Sequence, residues 1–200
     1  MRRLVLASAN PGKLRELRPL LAPLEIEVSA LDELGLGQAE EPHATFLENA
    51  LAKARAASAA TGLPALADDS GLCVAALGGA PGVHSAHYAG TEGAREARDA
   101  RNNARLLAEM ARRSERGAHY HCVLVLLRAA DDPQPMVSEG RWPGEIARAP
   151  RGSGGFGYDP LFLLPGRGIT AAELDPAEKY RVSHRGRALA RLIERLREEG

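Results

Sequence analysis

An apolar segment of this chain meets two adjacent carboxylates, in Pro64-Ala65-Leu66-Ala67-Asp68-Asp69-Ser70-Gly71-Leu72. The pattern predicts a buried strand over Pro64–Ala67 that stops at the aspartates, and another strand over Leu72–Leu77. Adjacent carboxylates repel one another unless a cation lies near them. Ligands of α/β proteins bind beyond the carboxyl ends of the strands, so Asp68 and Asp69 predict a site for a divalent cation and phosphates. The alternative for such a pair is a solvated loop or a helix cap.

Strands and helices alternate on both sides of this segment. Arg3–Ala7 is predicted to be a buried strand, and Thr45 with Glu48 forms a capping box that opens a helix ended by Gly62. This alternation predicts an α/β fold in a single domain over residues 1–200. A predicted hairpin over Met136–Ala147, which turns at Trp142-Pro143-Gly144, makes the sheet mixed rather than all parallel.

Composition excludes several classes of protein. The chain has 200 residues and a formal net charge of +0, so no global field recruits nucleic acid or a membrane surface. No apolar run approaches the roughly 20 residues of a transmembrane helix. Cys73 and Cys122 both lie in apolar, strand-like runs. We expect two buried free thiols and a reducing, cytoplasmic location.

Lysine is rare in this chain. Only three of the 26 basic residues are lysines, namely Lys13, Lys53 and Lys179. A lysine that persists where arginine is the usual cation marks a position that suits a compact ammonium group better than a planar guanidinium. Chance is the alternative, because three lysines must fall somewhere.

The first lysine ends the loop Ser8-Ala9-Asn10-Pro11-Gly12-Lys13, which follows the first predicted strand. Asn10 is a suitable N-cap and Pro11 a suitable first helical residue. A helix start offers free N–H groups and a partial positive charge, to which Lys13 adds a full charge, so the loop predicts a phosphate site. It is not a P-loop, because only one glycine precedes the lysine. A plain, well-capped turn is the alternative.

A glycine-rich loop, Gly152-Ser153-Gly154-Gly155-Phe156-Gly157-Tyr158-Asp159, matches the spacing of a dinucleotide-binding fingerprint. The match is a decoy, because that fingerprint requires a preceding strand and a following helix. We expect instead a loop that presents Phe156 to an aromatic ring and lets Asp159 accept a hydrogen bond from a base. A structural turn with Phe156 and Tyr158 in the core is the alternative.

Two further polar groups are candidate sites. Ser183-His184-Arg185 precedes the last helix, close to Lys179, and its donors could contact the edge of a base. A cap followed by a solvated, arginine-rich face is the alternative. Glu40-Glu41 precedes the helix that Thr45 opens, and taken alone it is more typical of a solvated loop.

These motifs together resemble the inosine triphosphate pyrophosphatase family, the bacterial RdgB-like proteins. The resemblance covers nearly the whole chain, and the motifs occur in the order of the family. They are Ser8–Lys13, Thr45–Ala50 with Lys53, Ala67–Leu72, Gly78–Gly82, Gly155–Pro160 and Ser183–Arg185. One departure is Ser8-Ala9-Asn10, where many members have Thr-Gly-Asn; a hydroxyl and the asparagine are kept.

The resemblance implies a magnesium-dependent hydrolase that converts ITP, dITP, XTP and dXTP to the monophosphate and pyrophosphate. It implies Asp69 as the general base and as a metal ligand, with Glu40 or Glu41 as a further ligand. Phosphates and sugar are then held by Ser8–Lys13 and Ser70, and the base by Phe156, Gly157, Tyr158, Asp159, Lys179, His184 and Arg185. Lys53 is expected to bind substrate by reaching the acidic site from its helix, and a place on the surface is the alternative. The family fold is an elongated mixed sheet with two lobes around a central cleft, usually as a homodimer.

Two other functions remain open on the sequence alone. One is a related nucleotide pyrophosphatase with a different base preference. The other is a module that binds nucleotide or nucleic acid without catalysis, which would tolerate the loss of the Asp69 carboxylate and bind with steep salt dependence.

Overall fold

A computed structural model describes residues 3–8, 11–37 and 39–198 of the chain. Seven strands and five α-helices are found in these residues, and short 3-10 helices connect several of them. The strands are β1 (Arg3–Leu6), β2 (Glu27–Ala30), β3 (Ala65–Val74), β4 (Gly117–Leu127), β5 (Met136–Ile146), β6 (Phe162–Leu164) and β7 (Ile169–Thr170). The helices are α1 (Pro11–Leu21), α2 (Phe46–Thr61), α3 (Arg95–Met110), α4 (Pro176–Val182) and α5 (His184–Glu198).

The strands form one mixed sheet in the order β2-β1-β3-β4-β5-β6-β7. β1 pairs in parallel with β2, where Leu4 lies opposite Val28, and with β3, where Leu6 lies opposite Leu66. β6 pairs antiparallel with both β5 and β7. The predicted α/β class and mixed sheet are therefore confirmed.

The chain divides into two compact units. Unit 1 comprises Met1–Asp69, Cys122–Gly140 and Arg187–Gly200. Unit 2 comprises Ser70–His121 and Arg141–Gly186. The division passes between Asp69 and Ser70, inside the motif Ala67–Leu72. The cleft that the resemblance implies stays a prediction.

Unit 1 buries both faces of its strands. Successive strand residues point to opposite faces, so Leu4 and Leu6 of β1 pack with the leucines of α1 and α5. Val5, on the other face, packs with the small residues Ala50 and Ala54 of α2. Because alanine side chains are short, they allow α2 to lie close to the sheet. Helices on both faces explain why β4 is apolar at consecutive positions over Cys122–Leu127.

Unit 2 has a core that is richer in aromatic residues. Tyr120 of β4 packs against Phe162 of β6 with ring centroids 4.7 Å apart, and Trp142 of β5 lies 5.1 Å from the same Phe162 ring. Leu106 and Met110 of α3 are fully buried in this cluster. α3 therefore packs its apolar face on the core and leaves a polar face for the loops.

The segment around Asp68 and Asp69 differs from its prediction. It was expected to end one strand and precede another, but β3 runs without a break from Ala65 to Val74. Both aspartates are buried within the strand. Charged residues are rare inside buried strands because desolvation penalises them, and here cationic side chains from α1 and α2 offset that penalty.

The predicted hairpin over Met136–Ala147 is also wrong, because β5 is one strand from Met136 to Ile146. Its residues alternate regularly between buried and more exposed positions. Pro143 is one of the exposed positions, between buried Trp142 and Gly144. Strand periodicity therefore outweighed the local turn signal of the Pro-Gly pair.

Smaller features follow the sequence more closely. Thr45 caps α2 by accepting from the Glu48 N–H at 3.2 Å, and Gly62 ends that helix with a φ of 66°. Cys73 and Cys122 are free thiols, as expected, although Cys73 is only half-buried. Among the helices described, none has the length and hydropathy needed to cross a membrane.

Candidate active site

Two lysines of unit 1 meet the consecutive aspartates of β3. Lys13, in the first turn of α1, places its Nζ 2.5 Å from Oδ1 of Asp68 and 3.1 Å from the carbonyl oxygen of the same residue. Lys53, on the buried face of α2, places its Nζ 2.9 Å from Oδ1 of Asp69 and donates to the Asp68 carbonyl at 2.9 Å. The Lys53 ammonium also lies 2.8 Å from Oε1 of Glu41.

The alternation of β3 explains this pairing. Asp68 lies two residues after Leu66 and shares its face, on which α1 packs, so it meets Lys13. Asp69 follows Ala67 on the opposite face, on which α2 packs, so it meets Lys53. One strand thus presents two carboxylates to two helices, and each helix supplies one ammonium group.

Burial sets the electrostatics of this cluster. Burial would lower the pKa of Lys53, but the carboxylates of Asp69 and Glu41 outweigh it, and the pKa is raised. Burial raises the pKa of Asp69, and the ammonium groups of Lys53 and Lys13 offset only part of that rise. The two residues differ because Glu41 supports the charge of Lys53 and opposes that of Asp69.

Asp69 keeps one oxygen available for a ligand. Its Oδ2 is buried and accepts no hydrogen bond from any residue that the structure describes. An unsatisfied buried carboxylate oxygen is costly, and water or a cation would satisfy it. This atom is the strongest sign of a binding site in unit 1.

The carboxylates of Asp69 and Glu41 are of the ligand type that Mg²⁺ prefers. No group of three or more His, Cys, Asp or Glu at metal-binding geometry occurs in the described part of the chain. Mg²⁺ does not require one, because it usually takes one or two carboxylates together with waters and phosphate oxygens. Asp69 and half-buried Glu41 share Lys53, whereas Glu40 lies exposed. The structure thus favours Glu41 over Glu40 as the second carboxylate.

The first loop is described in part. Ser8 follows β1 and is buried, and Pro11 and Gly12 form the start of α1. Ala9 and Asn10 lie outside the described residues, so the predicted cap and phosphate contacts of those two remain predictions. Lys13 is the member of this loop whose contacts link it to the acidic cluster.

In unit 2, the glycine-rich loop holds Asp159 against two donors. Oδ2 of Asp159 accepts from the Phe156 N–H at 2.8 Å and from Nζ of Lys179 at 2.5 Å. The Phe156 ring has two cations nearby, with Nζ of Lys179 5.0 Å and Cζ of Arg95 4.6 Å from its centroid. Phe156 itself is half-buried. A flat aromatic face with nearby cations suits a purine ring.

Gly155 is required by this arrangement. Its φ is +72°, in the left-handed region that favours glycine, and a Cβ there would lie 2.1 Å from Oδ2 of Asp159. The close approach of the Gly155 backbone therefore depends on the missing side chain.

His184 and Arg185 lie at the start of α5, and both are buried. The His184 ring stacks on Tyr120, with centroids 4.7 Å apart and planes at 9°. Nη2 of Arg185 donates to Oγ of Ser70 at 3.1 Å. The predicted base residues His184 and Arg185 are thus brought into one cluster with Ser70, which the resemblance assigns to phosphates and sugar.

Tyr158 takes a different position from its neighbours in the loop. It is buried in the apolar core, and its hydroxyl donates to the Ser85 carbonyl at 2.9 Å. The structure favours the alternative reading for this residue, a packing role, and its contact with substrate stays a prediction. Gly157 is held through its backbone by Asp99 and Asn103 of α3.

Sequence reasoning missed the supports of this second cluster. Tyr120, Asp99 and Asn103 belong to none of the sequence motifs. The available signal was the spacing of Arg95, Asp99 and Asn103, which lie four residues apart and so share one face of α3.

Comparison with known proteins covers nearly the whole chain. The model of the Ham1 family matches residues 4–195. A protein of Ralstonia nicotianae named dITP/XTP pyrophosphatase is 66% identical over 197 residues, which span 98% of each chain. A dITP/XTP pyrophosphatase of Nitrosomonas europaea is 59% identical over 198 residues, 99% of this chain and 96% of the relative.

A solved structure agrees with the fold. The HAM1 protein from Coxiella burnetii is 50% identical, and the superposition has a TM-score of 0.91. It covers 99% of this chain and 100% of the other.

Proposed function

The chain belongs to the Ham1 family, and on that premise we propose that it hydrolyses ITP, dITP, XTP and dXTP to the monophosphate and pyrophosphate. The substrate class rests on the full-length relatives that are named dITP/XTP pyrophosphatases. The hydrolytic chemistry rests on Oδ2 of Asp69, a buried carboxylate oxygen that no described residue satisfies. Such an enzyme removes damaged purine nucleotides from the nucleotide pool.

In this proposal, Asp69 is the general base. A water molecule attacks the α-phosphorus, its proton passes to Oδ2 of Asp69, and the bond to the bridging oxygen breaks to release pyrophosphate. Burial raises the pKa of Asp69, which makes the carboxylate a better proton acceptor. Lys53 holds the other oxygen of Asp69 at 2.9 Å and so orients the carboxylate.

Lys13 supplies positive charge to the phosphates in this proposal. Its Nζ is fixed at the start of α1 by Asp68, and a helix start adds its own partial positive charge. Stabilising the charge on phosphoryl oxygens is the dominant requirement of phosphoryl transfer. Ser8 to Lys13 and Ser70 are proposed to hold phosphates and sugar.

Asp69 and Glu41 would hold the magnesium ion, with Glu40 as the exposed alternative. When bound, the ion neutralises negative charge on the triphosphate. Lys53 bridges the two carboxylates and offsets their mutual repulsion, because its ammonium lies 2.8 Å from Oε1 of Glu41 and 2.9 Å from Oδ1 of Asp69.

Base selection is proposed to rest on unit 2. Phe156 offers its ring to the purine, and Lys179, His184 and Arg185 offer donors to a 6-oxo group. Adenine carries an amino group at that position, so donor would meet donor and buried polar groups would be left unpaired. Such a mismatch discriminates by about 10⁴-fold or more in sites built for hydrogen bonding.

We also propose a homodimer in the cytoplasm. The family resemblance supports the dimer, and the free thiols of Cys73 and Cys122 suit a reducing compartment. Sedimentation equilibrium of the purified chain tests the dimer directly.

A substrate panel tests the proposed function. Pyrophosphate release from dITP, XTP, GTP, ATP and dUTP is measured with Mg²⁺ and with EDTA. We expect dITP and XTP to exceed ATP by orders of magnitude in kcat/KM and all activity to need the cation. Equal rates on ATP and dITP would favour a pyrophosphatase with a different base preference, and no release from any nucleotide would refute hydrolysis.

A further inference from the structure

The Phe156–Asp159 loop has little regular structure of its own to hold it. It forms the end of the glycine-rich segment Gly152–Asp159, between β5 and β6, and a short 3-10 helix begins at its last residue, Asp159. Glycine adds backbone freedom, so a loop of this composition must be ordered by contacts from outside. A loop that binds a purine ring needs those contacts, because small displacements of a binding group reduce affinity sharply.

One face of α3 supplies such contacts. Oδ2 of Asp99 accepts from the Gly157 N–H at 2.9 Å, and Nδ2 of Asn103 donates to the Gly157 carbonyl at 2.8 Å. Both polar groups of one residue in the loop are therefore bound by two side chains that lie one helical turn apart. One turn earlier, the Arg95 guanidinium lies over the Phe156 ring and 3.8 Å from Asp99.

The chemistry of the two bonds makes the arrangement specific. The bond to Asp99 is assisted by the carboxylate charge, which makes it stronger than a neutral pair. Nδ2 of Asn103 also donates to the Asp99 carbonyl at 2.8 Å, so the amide faces two acceptors. The reverse orientation would place Oδ1 against two carbonyl oxygens, and the amide is therefore held in one orientation.

We propose that Asp99 and Asn103 are positioning residues that fix the Phe156–Asp159 loop in the geometry that binds the base, so that α3 governs base affinity and selectivity. The inference rests on the proposed function. Neither residue touches the reacting phosphates in this proposal: they act through Gly157, whose neighbour Phe156 carries the aromatic ring.

The test compares Asp99→Ala, Asp99→Asn and the control Glu96→Ala in the full-length protein. Glu96 is an exposed carboxylate on the same helix. Asp99→Ala is expected to raise the KM for dITP about ten- to a hundredfold, as the loss of a charge-assisted bond predicts, while kcat stays within about threefold. Asp99→Asn is expected to recover most of the affinity, because its Oδ1 accepts the same hydrogen bond. Glu96→Ala is expected to match wild type.

A second readout separates positioning from general damage. Imidodiphosphate, which has no base, is used as a competitive inhibitor, and its inhibition constant is expected to stay unchanged in Asp99→Ala. The preference for dITP over dATP is expected to fall. Asn103→Leu removes the amide that donates to the Gly157 and Asp99 carbonyls while nearly keeping the shape of the side chain. It carries the same test should Asp99→Ala not fold.

The outcomes are distinct. An unchanged KM for dITP in both Asp99→Ala and Asn103→Leu would overturn the inference, as would a parallel weakening of imidodiphosphate inhibition. A wild-type protein that does not hydrolyse dITP would refute the proposed function itself, whatever the variants do.

Discussion

The charged cluster of unit 1 and the Phe156–Asp159 loop of unit 2 hold their ions in different ways. In unit 1, Lys13 and Lys53 come from helices and their carboxylates from β3 and Glu41, so ions are held mainly by ions on regular elements. In unit 2, Asp159 is held by one ammonium group and one backbone N–H of a glycine-rich loop. In unit 2 the ion pair of Lys179 and Asp159 is supplemented by a backbone N–H and by the Phe156 ring.

The difference has consequences for substitution. Removing an ammonium group from the cluster of unit 1 leaves buried carboxylates uncompensated, which is strongly destabilising. Removing a contact from a loop frees the loop but leaves fewer buried charges unpaired. Loss of a lysine from unit 1 is therefore expected to lower both activity and stability, and loss of a contact in unit 2 mainly substrate affinity.

The largest expected effect separates activity from stability within unit 1. Asp69→Asn is expected to lower kcat by about 10³-fold or more, because it removes the proposed general base. The free energy of unfolding at pH 7 is expected to be equal to or above that of wild type. Burial raises the pKa of Asp69, so its ionised form is disfavoured in the folded state.

The raised pKa of Asp69 also predicts how the free energy of unfolding depends on pH. A carboxyl with a raised pKa contributes stability below its ordinary value of 3.8 and loses it as pH rises through the folded-state value. The advantage of Asp69→Asn should therefore shrink as pH falls toward 3.8. Urea unfolding across this range measures it, and a large loss of stability at pH 7 would contradict the prediction.

The next effect compares the two units directly, through Lys53→Met and Lys179→Met. Both side chains are buried, with 2% and 9% of their surface exposed. Lys53→Met leaves the carboxylates of Asp69 and Glu41 together, and the free energy of unfolding should fall by about 3–5 kcal/mol. Lys179→Met leaves Asp159 with its backbone donor, and about 1–3 kcal/mol is expected.

Urea unfolding at pH 7 measures the free energy of unfolding of both variants. Steady-state kinetics with dITP measures their KM and kcat. Lys179→Met should raise KM more than it lowers kcat. Equal losses of stability in the two variants would remove the distinction between the units.

The smallest expected effect is a difference in the KM for dITP between two variants of the glycine-rich loop, Gly155→Ala and Gly157→Ala. Both glycines have a positive φ, +72° and +62°, so both variants carry a backbone strain of about 1–2 kcal/mol. Only at Gly155 would the new Cβ approach the Asp159 carboxylate, whereas nothing lies within 4 Å at Gly157. Gly155→Ala should therefore raise the KM for dITP more than Gly157→Ala does, and steady-state kinetics would contradict this if the two were alike.

Local signals predicted a large part of the structure. Thr45, Glu48 and Gly62 bound α2 because caps and left-handed glycines act within a few residues of themselves. Asp175 caps α4 for the same reason, with Oδ1 accepting from the Ala177 N–H at 2.9 Å. The residues of each sequence motif could be recognised together because they are contiguous in the chain.

Local signals failed where a long-range contact decided. The Pro-Gly pair after Trp142 is a turn signal, but neighbouring strands keep β5 extended through it. Asp68 and Asp69 indicate a strand end when read alone, because two charges are unfavourable in a buried strand. Lys13 and Lys53, 55 and 16 residues away, make that burial possible.

By itself, the sequence determined the α/β class and the residue types of the candidate site, because periodicity, caps and residue types are local properties. The mixed sheet was also predicted, but from a hairpin over Met136–Ala147 that the structure replaces with the single strand β5. Only the tertiary structure decided which lysine meets which aspartate. Successive side chains of β3 point to opposite faces of the sheet, and a different helix packs on each face. Tertiary structure also revealed that no described residue donates a hydrogen bond to Oδ2 of Asp69 and that α3 holds Gly157. These contacts join residues far apart in the chain, and spacing along a sequence carries no measure of distance in space.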